Sequence, residues 1–153
     1  MGPIHRSTLI FIHGGGVGPW MWADQAAFFS GEHRVHTPVL PGHDPRRPEE
    51  FTTHAAAAHS VAGQTALQEA GGRVTVVGFS LGGQTAIQLA AAYPEKVDRP
   101  VVVSSLLEPR RGAPVLAALA AAAAPLSGSR LFTRAQARQL LIPAERFEDY
   151  YAL

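Results

Sequence analysis

The chain has 153 residues, 46% hydrophobic and 16% charged, with a formal net charge of +1. That length suits a single domain with a real core, and the balanced charge excludes a broad field for nucleic acid or an anionic membrane surface. With no cysteine, disulfides, thiolate catalysis and cysteine-rich zinc sites are excluded, which fits a reducing, cytoplasmic setting.

Leu9 to Ile12 is too short for the apolar core of a secretory signal and runs straight into glycines. The longest apolar run, Val115 to Leu126, is mostly alanine and shorter than a membrane span. Thr8 to Ile12 reads as a buried strand, continuously apolar as parallel sheets require. The run His13-Gly14-Gly15-Gly16-Val17-Gly18 follows, where backbone N–H groups can approach a ligand closely. A phosphate loop would need Lys and then Ser or Thr after the glycines, and Pro19-Trp20 stand there instead. The dinucleotide pattern is incomplete as well, because its third glycine is misplaced.

Pro19 to Phe29 reads as a short helix, and Arg34 to Leu40 as the second strand. Pro41 to Pro45 is a loop of turn formers. Thr52 or Thr53 caps a helix to about Ala70, stopped by Gly71-Gly72. Arg73 to Val77 is the third strand. A helix from Leu81 ends at Tyr93-Pro94, and Val101 to Val103 forms the core of a fourth strand. Strands alternating with helices across short loops predict a three-layer α/β fold with a parallel, doubly wound sheet. Ligands bind such sheets beyond the carboxyl ends of the strands. The glycine run, the Pro41 loop and Ser80 all fall on that edge. From Pro109 onward the pattern is helical: an alanine-rich helix to Ala124, another from Thr133 to Leu141, and a short one after Pro143. The expected division is a core over 1–108 and a helical segment over 109–153.

The stretch Gly78-Phe79-Ser80-Leu81-Gly82-Gly83 joins strand to helix at a sharp turn. Gly-x-Ser-x-Gly in that setting is a nucleophile elbow. Gly78 and Gly82 flank the serine because strand and helix pass too close there for a Cβ. Ser80 stands at a helix amino end, where free N–H groups favour developing negative charge. An ordinary strand-to-helix turn is the competing reading of the same residues.

Taken in order, His13-Gly14-Gly15-Gly16, Trp20-x-Trp22, Pro41-Gly42-His43 and Gly78-Phe79-Ser80-Leu81-Gly82-Gly83 make the sequence resemble the α/β-hydrolase superfamily over residues 8–107. The resemblance implies a serine esterase acting on a carboxylic ester or related small acyl substrate through an acyl-Ser80 intermediate. It implies an oxyanion hole from the N–H groups of Leu81 and Gly15, with Gly16 as the neighbour that could substitute. Trp20, Trp22 and Phe79 would line the acyl pocket, with core packing as the competing reading for each. The helices after Pro109 resemble the start of a cap, or lid. No metal or organic cofactor is implied, and no nucleic-acid or membrane partner.

The superfamily's triad runs serine, acid, histidine. All seven histidines of this chain precede Ser80. The expected histidine is therefore missing, and so is the acid that follows a later strand. Three readings follow. The chain is the amino-terminal portion of a hydrolase, truncated relative to the superfamily; or it is a non-catalytic binding or interaction module; or a base is improvised, with His43 the candidate. A fourth strand left as a bare apolar edge pairs with a partner chain or self-associates.

Overall fold

The computed structural model describes residues 7–46, 49–67, 70–108, 122 and 129–152. A first compact unit ends at Ser105. It contains β1 (Thr8–Ile12), a 3₁₀ turn (Pro19–Trp22), α1 (Ala23–Phe29), β2 (Arg34–His36), α2 (His54–Gln64), β3 (Val74–Phe79), α3 (Leu81–Ala92) and β4 (Val97–Val103). A second unit begins at Leu106 and holds α4 (Arg130–Gln139), a 3₁₀ turn (Ala144–Arg146) and α5 (Phe147–Tyr151).

The four strands form one parallel sheet in the order β2-β1-β3-β4. The expected three-layer α/β architecture is thus present. Side chains alternate between faces along each strand. Ile10, Ile12, Val74 and Val76 share one buried cluster with Ala57, Ala58 and Val61 of α2 and with Ala86 and Leu89 of α3. Phe11 points to the opposite face and meets Trp22 and Phe29, at ring-centroid distances of 5.1 and 6.0 Å. One layer is therefore α2 and α3, and the other is α1 with its leading turn. Thr53 caps α2, its Oγ1 accepting from the Ala56 N–H at 3.0 Å, a contact of about 1 kcal/mol.

Several boundaries differ from expectation, each for a physical reason. β2 stops at His36 rather than Leu40. Pro38 has no N–H to give a ladder. Val39 instead bonds both its groups to the Gln64 side chain, at 3.0 and 2.8 Å. The Leu40 N–H goes to the His13 ring at 3.0 Å. α2 ends at Gln64, short of Ala70, because Ala66 turns into the left-handed region at φ +47°. β4 begins at Val97, four residues before Val101. Asp98 is the extra residue of a bulge opposite Val74 and Thr75. Its carboxylate faces Arg73 and Arg99 at 3.6 and 3.4 Å. Polar residues and Pro100 hide this strand from a hydrophobic pattern, and an edge strand tolerates both.

In the second unit, α4 starts at Arg130, earlier than the expected Thr133, and buries Thr133 and Ala137. Arg130 pairs with Glu148 and lies over the Phe147 and Tyr151 rings, 5.4 and 4.7 Å from their centroids. The alanine-rich helix expected before Ala124 falls outside the described residues. Among the described residues of the first unit, no strand pairs with the outer side of β4, and Val101 and Val103 are 42% and 37% exposed.

Leu89 is fully buried between α2 and the sheet. Leu89→Ala should lower unfolding free energy by about 2–5 kcal/mol, read from urea denaturation as a lower midpoint at unchanged slope. A loss below about 1 kcal/mol would show that α3 is not packed as described.

Candidate active site

Loops after β1, β2 and β3 meet at the carboxyl edge of the sheet. The tightest is the turn from β3 into α3. A Cβ on Gly78 would fall on the Gly82 carbonyl and 2.6 Å from the Gly83 nitrogen. A Cβ on Gly82 would fall on the Ile12 and His13 carbonyls. Backbone therefore touches backbone where α3 crosses β3 and β1, and only glycine fits. Ser80 carries the resulting strain, with φ +51° and ψ −113°. For a residue with a side chain this is a sparsely populated conformation that the surroundings must enforce. They do so from both sides. The Ser80 N–H donates to the Val103 carbonyl at 2.9 Å. The Ser80 carbonyl accepts from the Gly83 and Gln84 N–H groups at 3.0 and 3.3 Å. The Ser105 hydroxyl donates to the same carbonyl at 2.7 Å, in preference to the Val103 carbonyl at 3.4 Å. A Cβ on Gly83 would collide with that hydroxyl.

The glycine run after β1 is built on two imidazoles. His13 is fully buried. Its Nε2 accepts from the Leu40 N–H at 3.0 Å, so Nδ1 carries the proton and donates to the Gly14 carbonyl at 2.8 Å. Burial pushes its pKa down to about 4, the Gly14 bond opposing that shift and neighbouring His43 adding to it. His43 repeats the arrangement. Its Nε2 accepts from the Gly16 N–H at 3.2 Å, and its Nδ1–H donates to the Pro41 carbonyl at 3.0 Å. The two rings meet edge to face at 5.1 Å.

Gly15 lies directly against the elbow, because a Cβ built on it would stand 3.5 Å from Leu81 Cδ2 and 3.8 Å from Leu81 Cβ. Among the described residues neither the Gly15 N–H nor the Leu81 N–H has an acceptor. For Leu81 this follows from its place as first residue of a helix. Gly16 differs, since its N–H is taken by His43. Phe79 is half-buried and reaches Gly14, whose Cβ would stand 2.8 Å from Phe79 Cδ1. Trp20 is half-buried, and Trp22 is buried against Phe11. Their indole N–H groups are buried without a partner among the described residues.

Sequence reasoning did not single out Ser105 or Gln64, because each bonds backbone 25 residues away and no local pattern announces it. A cavity of about 370 Å³ lies within the second unit, lined by residues of α4 and α5 and by Ile142 and Ala144 between them. None of the candidate site residues named from the sequence lines it.

The model of the alpha/beta hydrolase family matches residues 9–152. Pimeloyl-[acyl-carrier protein] methyl ester esterase of Aromatoleum aromaticum is 34% identical over 102 residues, 67% of this chain and 38% of that protein. The protein of that name in Nitrosomonas europaea is 32% identical over 111 residues, 69% of this chain and 42% of its own length. The chain thus spans about two-fifths of the length of these curated relatives. Among solved structures, a pyrethroid hydrolase from Sphingobium faniae is 27% identical with a TM-score of 0.60, covering 66% of this chain and 40% of that one. A thermophilic esterase from Thermogutta terrifontis has a TM-score of 0.73 at 18% identity, covering 95% of this chain and 56% of that one. This last is a likeness of fold.

The neutral His13 ties stability to pH. The folded chain keeps it unprotonated down to about pH 4, whereas the unfolded chain binds a proton near the ordinary histidine value of 6.5. Between those values the unfolded state holds more protons, so stability is full above the upper value and falls as pH drops. The loss should be on the order of 3 kcal/mol. His36 is shifted in the same direction by burial and by Arg34. Urea denaturation of the chain and of His13→Asn across that window isolates the His13 share, and equal slopes in the two would refute it.

Proposed function

The chain belongs to the alpha/beta hydrolase family, and on that premise we infer that it carries the nucleophile and oxyanion-binding half of a serine esterase. The observation that carries this reading is the strained Ser80 at the head of α3, with Gly15 against the next residue, Leu81, and with neither of their N–H groups taken by an acceptor among the described residues. Ser80 Oγ attacks the acyl carbon. The carbonyl electron pair moves onto oxygen, where the Leu81 and Gly15 N–H groups receive it. Collapse of the tetrahedral adduct expels the alcohol, and water then releases the acid from Ser80. Each donor of this kind is worth about 3 kcal/mol in the transition state.

A carboxylic ester is the substrate class, a choice supported by relatives named as methyl ester esterases. The half-buried Trp20 and Phe79 border its acyl group, whereas Trp22, buried against Phe11, takes the core-packing reading, and the sequence over 109–153 is cap sequence. The Ser80 proton needs a base other than His13 or His43, whose ring nitrogens are all engaged. No histidine follows Ser80 in this chain. The cytoplasmic assignment stays a reading of composition. Among the described residues no helix is long and apolar enough to cross a membrane.

The test is labelling by a fluorophosphonate with and without added imidazole, which can serve as the base. Positioned bases contribute about 10²–10⁴, so the chain alone should label slowly. Imidazole should raise the rate at least about tenfold, and Ser80→Ala should abolish labelling. Labelling that survives in Ser80→Ala, or none at all in a folded sample with imidazole, would refute the reading.

A further inference from the structure

We propose that His43 is a positioning residue for the oxyanion-binding glycine turn: it fixes the Gly15–Gly16 peptide through the Gly16 N–H and, together with His13 on the Gly14–Gly15 peptide, sets the backbone rotation at Gly15. The proposal rests on the esterase reading for what the Gly15 N–H does, but its geometry stands apart from that reading.

The turn from His13 to Gly18 has neither helix nor ladder to fix it. Gly16 sits at φ +69°, in the left-handed region, and a Cβ there would meet nothing within 4 Å. Packing therefore does not hold Gly16. Its N–H instead donates to His43 Nε2 at 3.2 Å. The ring that accepts this bond is itself rigidly placed. Pro41 and Gly42 occupy the middle of a turn closed by the His43 N–H on the Leu40 carbonyl at 3.1 Å. Gly42 has φ +76°, as the third residue of a type II turn requires. The Gly42 N–H is tied to the Glu49 carbonyl at 2.7 Å. Nδ1–H of the ring bonds the Pro41 carbonyl at 3.0 Å, and the ring edge meets His13 at 5.1 Å. These contacts leave Nε2 unprotonated and aimed at one amide.

The two peptide units on either side of Gly15 are thus fixed separately. His13 holds the Gly14–Gly15 peptide by its carbonyl, and His43 holds the Gly15–Gly16 peptide by its N–H. The Gly15 N–H lies in the first of these planar units and the Gly15 carbonyl in the second, so His13 aims the donor and the His43 bond fixes the rotation at Gly15 against it. The same bond removes Gly16 from the set of free donors and leaves the Gly15 N–H, which has no acceptor among the described residues. It also accounts for His43 without a proton-transfer role.

Two variants separate these ideas. His43→Gln keeps an acceptor near the Nε2 position, whereas His43→Phe keeps a ring and removes the acceptor. Losing a full oxyanion donor costs about 10²–10³ in rate. In imidazole-supported labelling of Ser80, His43→Phe should fall by at least about tenfold, and His43→Gln should stay within about threefold of the parent chain. Thermal melting of each variant confirms folding. The spectroscopic signature is scalar coupling across the N–H···N bond between Gly16 and His43 in the ¹⁵N-labelled chain, with a moved Gly15 amide resonance in His43→Phe. Folded His43→Phe labelling at the parent rate would overturn the proposal, as would equal losses in the two variants. If the parent chain does not label at all, the esterase reading fails, and the resonances decide alone. Coupling together with a displaced Gly15 amide supports the positioning role, and absence of either refutes it.

Discussion

Backbone packed on backbone, with no side chain between, is the constraint on which the rest depends. α3 lies against β3 at Gly78 and against β1 at Gly82, closer than any Cβ allows. From that contact follows the sharp reversal at Ser80, with its positive φ. The end of β1 is brought beside the start of α3, so Gly15 comes against Leu81. The elbow also presses on the end of β4, which supplies the Val103 carbonyl and the Ser105 hydroxyl. A strained residue persists only where several independent contacts over-determine it. Here those contacts come from β1, β4 and the first turn of α3.

Around this rigid centre the polar groups are satisfied in pairs. His13 and His43 each take one backbone N–H on Nε2 and give one proton to a backbone carbonyl. Loops without ladders need such partners, since a buried polar group left without one costs about 1–3 kcal/mol. An imidazole is well suited because it donates and accepts at opposite sides of one ring. The same fit keeps His13 neutral, and desolvation makes its charged form unfavourable.

How much of this was legible beforehand depended on whether the cause was local. The glycines around Ser80 are visible because close approach dictates residue type at fixed spacing. The strands β1 and β3 are visible because burial on both faces makes them continuously apolar. β4 was only half visible, because Asp98, Arg99 and Pro100 belong to an edge whose bulge is set by pairing with β3. The end of β2 was misplaced because Gln64, far along the chain, imitates a neighbouring strand at Val39. His43 was legible as an active-edge residue from its turn, but its partner Gly16 is 27 positions away. Side-chain bonds to distant backbone leave no period in the sequence.

The Gln64 side chain has a further consequence for the margins of the sheet. Within the first unit, β2 is three residues long, and both backbone groups of Val39 beyond it are occupied by Gln64. The β2 side of the sheet offers little for strand addition, while the β4 side offers Val101 to Val103. The two margins of the first unit's sheet are therefore unlike: at β2 a side-chain amide takes the backbone groups that a further strand would use, and it does so from a helix that packs on the face of the same sheet.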